Sequence, residues 1–191
     1  MTAEELQEGR LKKAIATGAL ALGSLGSLGA SEPINPNQLY DQIKNHEGFK
    51  DTVYKDSNGI PHIGIGYNLH AKQNVEFLKR NPEILQKIKS NTPLSKRDIQ
   101  VLYNFSLTQA YKDAVEIFPN FKTLPKMARR VILDMSFNLG KSRLMGFKNM
   151  RQAIANNEFD TAADEMVDSA WYQQVKSRGK NLEKMMRSIN K

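Results

Sequence analysis

The chain has 191 residues, 40% of them apolar, a formal net charge of +8 and no cysteine. That length suits one ordinary domain or two small lobes sharing a core, and the missing cysteines exclude disulfides, thiol nucleophiles and thiolate metal sites. Residues 1–36 carry three basic and four acidic groups, so the remainder bears +9 and is drawn to polyanions, whether nucleic acid, anionic lipid or bacterial envelope polymers.

Residues 14–31 are uncharged, follow Arg10, Lys12 and Lys13, and consist mostly of Ala, Gly, Leu and Ser. A spanning helix wants about 20 strongly apolar residues, and Gly18, Gly23, Gly26 and Gly29 leave this stretch only marginally hydrophobic. It reads as a signal peptide cut after Ala30, as a weakly held membrane anchor, or as a flexible tether. Leu28, Glu4, Glu5 and Glu8 fit the signal peptide poorly. The expected division is an export, signal-anchor or tether segment over 1–36 and a folded domain over 37–191.

The folded part opens at Asn35-Pro36, an N-cap and first-turn signature. Leu39, Ile43 and Glu47 recur every four residues and share one helix face, which puts a carboxyl in line with core positions. A hairpin follows: a strand through Val53 and Tyr54, a turn at Asp56-Ser57-Asn58-Gly59, then a strand from Ile60 to Tyr67. After Asn68 the pattern is helical, with starts at Asn81-Pro82, at Ser95 with Asp98, and at Pro125. About six helices are expected there, with Ile99, Leu102, Val131, Ile132, Met135, Ile154, Met166 and Trp171 in the core. The fold class is α+β: a small helix-plus-hairpin lobe, a larger helical lobe and a cleft between them.

Glu47 and Asp56 are the residues with the chemistry of a glycosidase. Cleaving a glycosidic bond needs one protonated carboxyl for the departing oxygen and a second group at the anomeric carbon. An apolar helix face favours the neutral form of a carboxyl, whereas the polar hairpin tip keeps Asp56 ionised. The residues alone leave a plainer reading equally open, with Glu47 paired to an arginine and Asp56 a turn former.

The run Glu47-Gly48-Phe49, Tyr54-Lys55-Asp56, Asn58-Gly59 and Ile63-Gly64-Ile65-Gly66 resembles the active-site segment of phage-type lysozymes, glycoside hydrolase family 24. The likeness continues through Ala128-Arg129-Arg130, Phe137-Asn138-Leu139-Gly140, Gly146-Phe147 and Trp171-Tyr172, and covers about 39–180. It implies a lysozyme-like fold and an endolysin that cuts between N-acetylmuramic acid and N-acetylglucosamine in peptidoglycan, acting as a monomer without cofactor. It further implies Glu47 as general acid, Asp56 as the second catalytic carboxylate, Phe137 and Asn138 as cleft-wall residues, and Arg178 as partner of the acid.

One position departs from that family: six residues after the aspartate, where a threonine usually helps to hold the attacking water, stands His62. An imidazole can orient water, take its proton, attack carbon itself in a retaining or transglycosylating route, or stand by. Tyr67 and Asn68, just past the hairpin, are candidates for meeting sugar hydroxyls or acetamido groups, or else a strand cap and a turn. His46 and His70 have no metal-ligand spacing, so no metal is expected. The alternatives are a lytic transglycosylase, against which Asp56 argues, and a noncatalytic envelope-binding or virion protein, against which the carboxylate pair argues. A nucleic-acid partner has charge alone behind it and is not expected. The setting implied is the host periplasm and wall, with transient inner-membrane association through residues 10–31, or carriage in the virion to open the wall during infection.

Overall fold

The computed structural model describes residues 32–56 and 58–190; the stretch 14–31 with its export, anchor and tether readings lies outside them, as does Ser57 of the expected turn. No helix among the described residues is long and apolar enough to cross a membrane. The described chain forms two compact units, one of residues 40–108 and one of residues 32–39 with 109–190.

Helix α1 spans Pro36–Glu47. Pro36 takes the first helical position, where its missing N–H costs nothing, and Asn35 Oδ1 accepts from the Asn37 N–H at 2.9 Å. Leu39 and Ile43 are fully buried, and Glu47 closes the helix one turn further along their face. Gly48 follows with φ of 78° and donates its N–H to Lys44 O at 2.9 Å, a left-handed exit that glycine adopts without strain.

Strands β1 (Lys50–Lys55), β2 (Pro61–Gly64) and β3 (Tyr67–Asn68) form a three-stranded antiparallel sheet in that order. The expected hairpin is β1 with β2, pairing Tyr54 with His62 and Lys55 with Pro61. The run Ile60 to Tyr67, expected as a single strand, is instead two. Gly64 and Gly66, with φ of 67° and 65°, turn the chain back so that Ile63 pairs with Tyr67 and His62 with Asn68. Isoleucine alternating with glycine imitates a half-buried strand, but here the glycines supply a turn.

The rest is helical, as expected, but in eight α-helices among the described residues where about six were expected. They are α2 (Lys72–Lys79), α3 (Pro82–Lys89), α4 (Lys96–Ile117), α5 (Lys126–Met145), α6 (Lys148–Ala155), α7 (Phe159–Val167), α8 (Ala170–Val175) and α9 (Ser177–Arg187). The extra elements arise from breaks too short to show in the apolar period, such as Lys176, which alone separates α8 from α9 with φ of 47°. The expected start at Ser95 is a reciprocal capping box. Asp98 N–H donates to Ser95 Oγ at 3.1 Å, and Ser95 N–H donates to Asp98 Oδ2 at 2.9 Å.

Ile43, Ile63, Tyr67, Ile99 and Leu102 are buried in the first unit; Val131, Ile132, Met135, Ile154, Met166 and Trp171 are buried in the second. Ile34 is buried, Arg129 donates to the Glu32 carbonyl, and Lys126 pairs with the Glu32 carboxylate at 2.6 Å.

Candidate active site

The three candidate catalytic residues all fall in the first unit: Glu47 at the end of α1, Asp56 just after β1 and His62 in β2. Glu47 is half-buried, and its carboxyl lies against the backbone of Gly66. A β-carbon at Gly66 would stand 2.7 Å from Glu47 Oε2, inside any van der Waals contact, so a side chain at this position would displace the carboxyl.

Asp56 is held by the turn it opens. Its Oδ1 accepts from the N–H groups of Asn58 and Ile60, each at 2.9 Å, while its own N–H donates to Ile60 O at 3.0 Å. The hydrogen bond from Ile60 holds this carboxyl below the usual carboxylate range against the opposing effect of desolvation; the Asn58 N–H and the nearby His62 act in the same direction as Ile60. Asp56 is therefore both the turn former and an ionised carboxylate; the two readings of the sequence are compatible.

His62 Nδ1 is 3.0 Å from Ile60 O. A carbonyl oxygen only accepts, so Nδ1 carries the hydrogen in this contact, and in the neutral ring the lone pair belongs to Nε2. The same residue, Ile60, thus fixes Asp56 by its N–H and His62 by its carbonyl. Tyr54, opposite His62 in the β1–β2 register, packs its ring on the imidazole with centroids 5.8 Å apart. Burial raises the Tyr54 phenol above its ordinary range, and the carboxylates of Glu47 and Asp56 push it the same way. Tyr54 and Gly66 belong to the motif in the sequence, but only the structure shows that they lie against His62 and Glu47 respectively.

The first unit thus holds two carboxyls in unlike settings, with an imidazole beside one of them. Residues 44–188 match the family model described as phage lysozyme. The chain belongs to the phage lysozyme family. It is 28% identical over 152 residues to a Dictyostelium discoideum protein described as probable T4-type lysozyme 1, covering 74% of this chain and 89% of that one. It is likewise 28% identical over 156 residues to that organism's probable T4-type lysozyme 2, with the same coverage. A 27% identical match over 154 residues joins 75% of this chain to 27% of the pre-baseplate central spike protein Gp5 of Enterobacteria phage T4.

As a member of the phage lysozyme family the protein is an enzyme that hydrolyses peptidoglycan, and its α+β fold is the lysozyme-like one. Within that fold, Tyr67 is 1% exposed and its hydroxyl donates to Asn74 O at 2.8 Å, so this side chain braces β3 against α2. Asn68 Oδ1 accepts from the N–H groups of His70 and Ala71 at 2.7 and 3.1 Å, which makes it the cap of the following turn.

Phe137, Asn138 and Arg178 lie in the second unit. Asn138 Oδ1 accepts from Trp171 Nε1 at 2.9 Å, and Phe137 sits half-buried on α5 just before Gly140, whose φ of 68° bends the helix. Arg178 is buried and holds the fully buried Asp134, with Nε and Nη2 each 2.7 Å from Oδ1. Among the described residues no group of three or more His, Cys, Asp or Glu side chains could hold a metal ion.

Proposed function

We propose that this lysozyme is a muramidase that hydrolyses the β-1,4 bond between N-acetylmuramic acid and N-acetylglucosamine by direct displacement with water. Glu47 gives its proton to the glycosidic oxygen, the C1–O bond breaks with its electron pair leaving on that oxygen, and ionised Asp56 offsets the positive charge at C1. His62 Nε2 accepts a proton from the water that attacks C1. The observation that carries this reading is the Nδ1 contact to the Ile60 carbonyl, which leaves Nε2 as the basic nitrogen.

The same lone pair supports a second reading, in which Nε2 attacks C1 itself and water releases the sugar in a second step. Asn68, Phe137 and Asn138 are carried forward as substrate-side residues, and Arg178 as partner of the acid, on the family resemblance alone. Tyr67 is left out because its side chain is buried and engaged.

Digestion of purified peptidoglycan, with products read by mass spectrometry, tests the proposal. New muramic acid reducing ends, absent with Glu47→Gln, are expected. Anhydro-muramic ends, or retained cleavage in Glu47→Gln, overturn it.

We further propose that the protein acts as a monomer and reaches the wall either through residues 10–31, by export or transient inner-membrane association, or by carriage in the virion. The likeness to part of a phage spike protein supports the virion route. A fusion of residues 1–36 to a periplasmic reporter separates the routes: export or retention supports the first, and cytoplasmic reporter excludes it.

A further inference from the structure

The imidazole of His62 is held at one point, by the contact of Nδ1 with the Ile60 carbonyl at 3.0 Å. That contact settles which nitrogen carries the hydrogen, but it does not fix the plane of the ring, which two side-chain torsions set. The sheet supplies the missing constraint. His62 stands directly opposite Tyr54 of β1 and Asn68 of β3, so the three side chains form a row across one face of the strands. On one side the Asn68 carboxamide is itself fixed, its Oδ1 accepting from the N–H groups of His70 and Ala71. On the other, the half-buried rings of Tyr54 and His62 lie with centroids 5.8 Å apart and planes inclined at 31°, within the range of aromatic pairs that attract. The tyrosine ring is in turn covered by Lys50, whose Nζ lies 5.2 Å from its centre. The pairing of β1 with β2 is irregular between Lys50 and Tyr54, the class of strand bulge that re-aims a side chain next to a site.

We propose that Tyr54 is a positioning residue for His62: its ring holds the imidazole plane in the one setting that keeps Nδ1 on the Ile60 carbonyl and Nε2 presented to water. This rests on His62 being the base. In that step a water O–H bond breaks and its proton passes to Nε2, while the released electron pair forms the bond from oxygen to C1. The C1–O pair leaves with the glycosidic oxygen, which Glu47 protonates. The imidazolium then gives its proton to solvent, and Glu47 takes one up. A base removes a proton only when its lone pair is in line with it, so a ring free to turn loses rate without losing affinity for the glycan. The clamp is the aromatic ring of Tyr54, and phenylalanine supplies the same ring.

Tyr54→Leu removes the ring and keeps an apolar side chain in its place. Its kcat is expected to fall about 10- to 100-fold with KM unchanged, and Tyr54→Phe, which restores the ring, recovers most of that loss. Nitrogen NMR of the His62 ring in alkaline solution, where an imidazole is neutral, gives a signature that a merely structural role would not move. In wild type and Tyr54→Phe the hydrogen sits on Nδ1 alone; in Tyr54→Leu the two nitrogens shift toward a common value as the tautomers mix. Tyr54→Leu with wild-type kcat, Tyr54→Phe as slow as Tyr54→Leu, or an unchanged His62 spectrum in a slowed Tyr54→Leu each overturns the proposal. Should Tyr54→Leu not fold, Tyr54→Val, whose β-branched side chain suits a strand, takes its place with the same expected results. His62→Ala run alongside separates the two levels. In that background Tyr54→Leu should cost nothing further, and an equal added cost means that the ring acts elsewhere and overturns the proposal. A His62→Ala enzyme with wild-type kcat rejects His62 as the base and the positioning role with it, whereas a slowed His62→Ala beside an unaffected Tyr54→Leu rejects the role of Tyr54 alone.

Discussion

Gly66 lies directly against the Glu47 carboxyl. An alanine there meets two penalties of different kinds. Its φ of 65° strains any L-residue, by ~1–2 kcal/mol, whereas the clash falls on Glu47 Oε2, the free end of a flexible side chain that moves aside rather than unfolding anything. Gly66→Ala is therefore expected to lower thermal stability only modestly and to reduce kcat about 100-fold, read by melting and turnover on the same sample. Asp56 adds a pH signature. Its carboxyl is held below the usual range in the folded chain, chiefly by the Ile60 N–H, so its stabilising contribution is present above the unfolded-state value and lost as pH falls through the lower folded one. The melting temperatures of wild type and Asp56→Ala should differ at neutral pH and converge below about pH 4; a constant gap would contradict the assignment. Glu47 and Asp56 were legible in the sequence as residue types at family spacing. What His62 presents was not, because its tautomer depends on a carbonyl brought to it by the turn.

At the scale of elements, start signals were readable wherever they are local chemistry: Asn35 with Pro36, Asn81 with Pro82 and Ser95 with Asp98 each open a helix. Losing the cap with Ser95→Ala should cost ~1 kcal/mol. The turn between β2 and β3 was missed because an Ile-Gly alternation has the period of a strand, and only the backbone shows the glycines at positive φ. Helices α8 and α9 escaped for the opposite reason: the break at Lys176 is one residue long and carries no glycine or proline. Arg178 and Asp134, far apart in sequence, form a buried pair between α9 and α5. Removing one partner leaves a buried charge, so Asp134→Ala should destabilise the fold by ~3–5 kcal/mol, measured by urea unfolding, and Arg178→Met combined with Asp134→Leu should recover much of it.

At the scale of the molecule, a chain with a net charge of +8 meets an anionic wall. Raising salt shortens the range of that attraction, with a Debye length of about 10 Å at 0.1 M. Turnover on whole walls should therefore fall with salt far more than turnover on a short neutral chitooligosaccharide-like substrate. The α+β class and the lysozyme resemblance were readable from one sequence because the motif lies in one contiguous stretch. The division within α4, at residues 108 and 109, was not, since no linker or composition change marks it. The most direct test of the account is to follow by proton NMR the anomer first released from a soluble peptidoglycan fragment. Water delivered to C1 with His62 as base inverts the β bond, so the α anomer must appear first and relax toward equilibrium. A β anomer released first would mean two displacements, and would contradict His62 as the base of a single one.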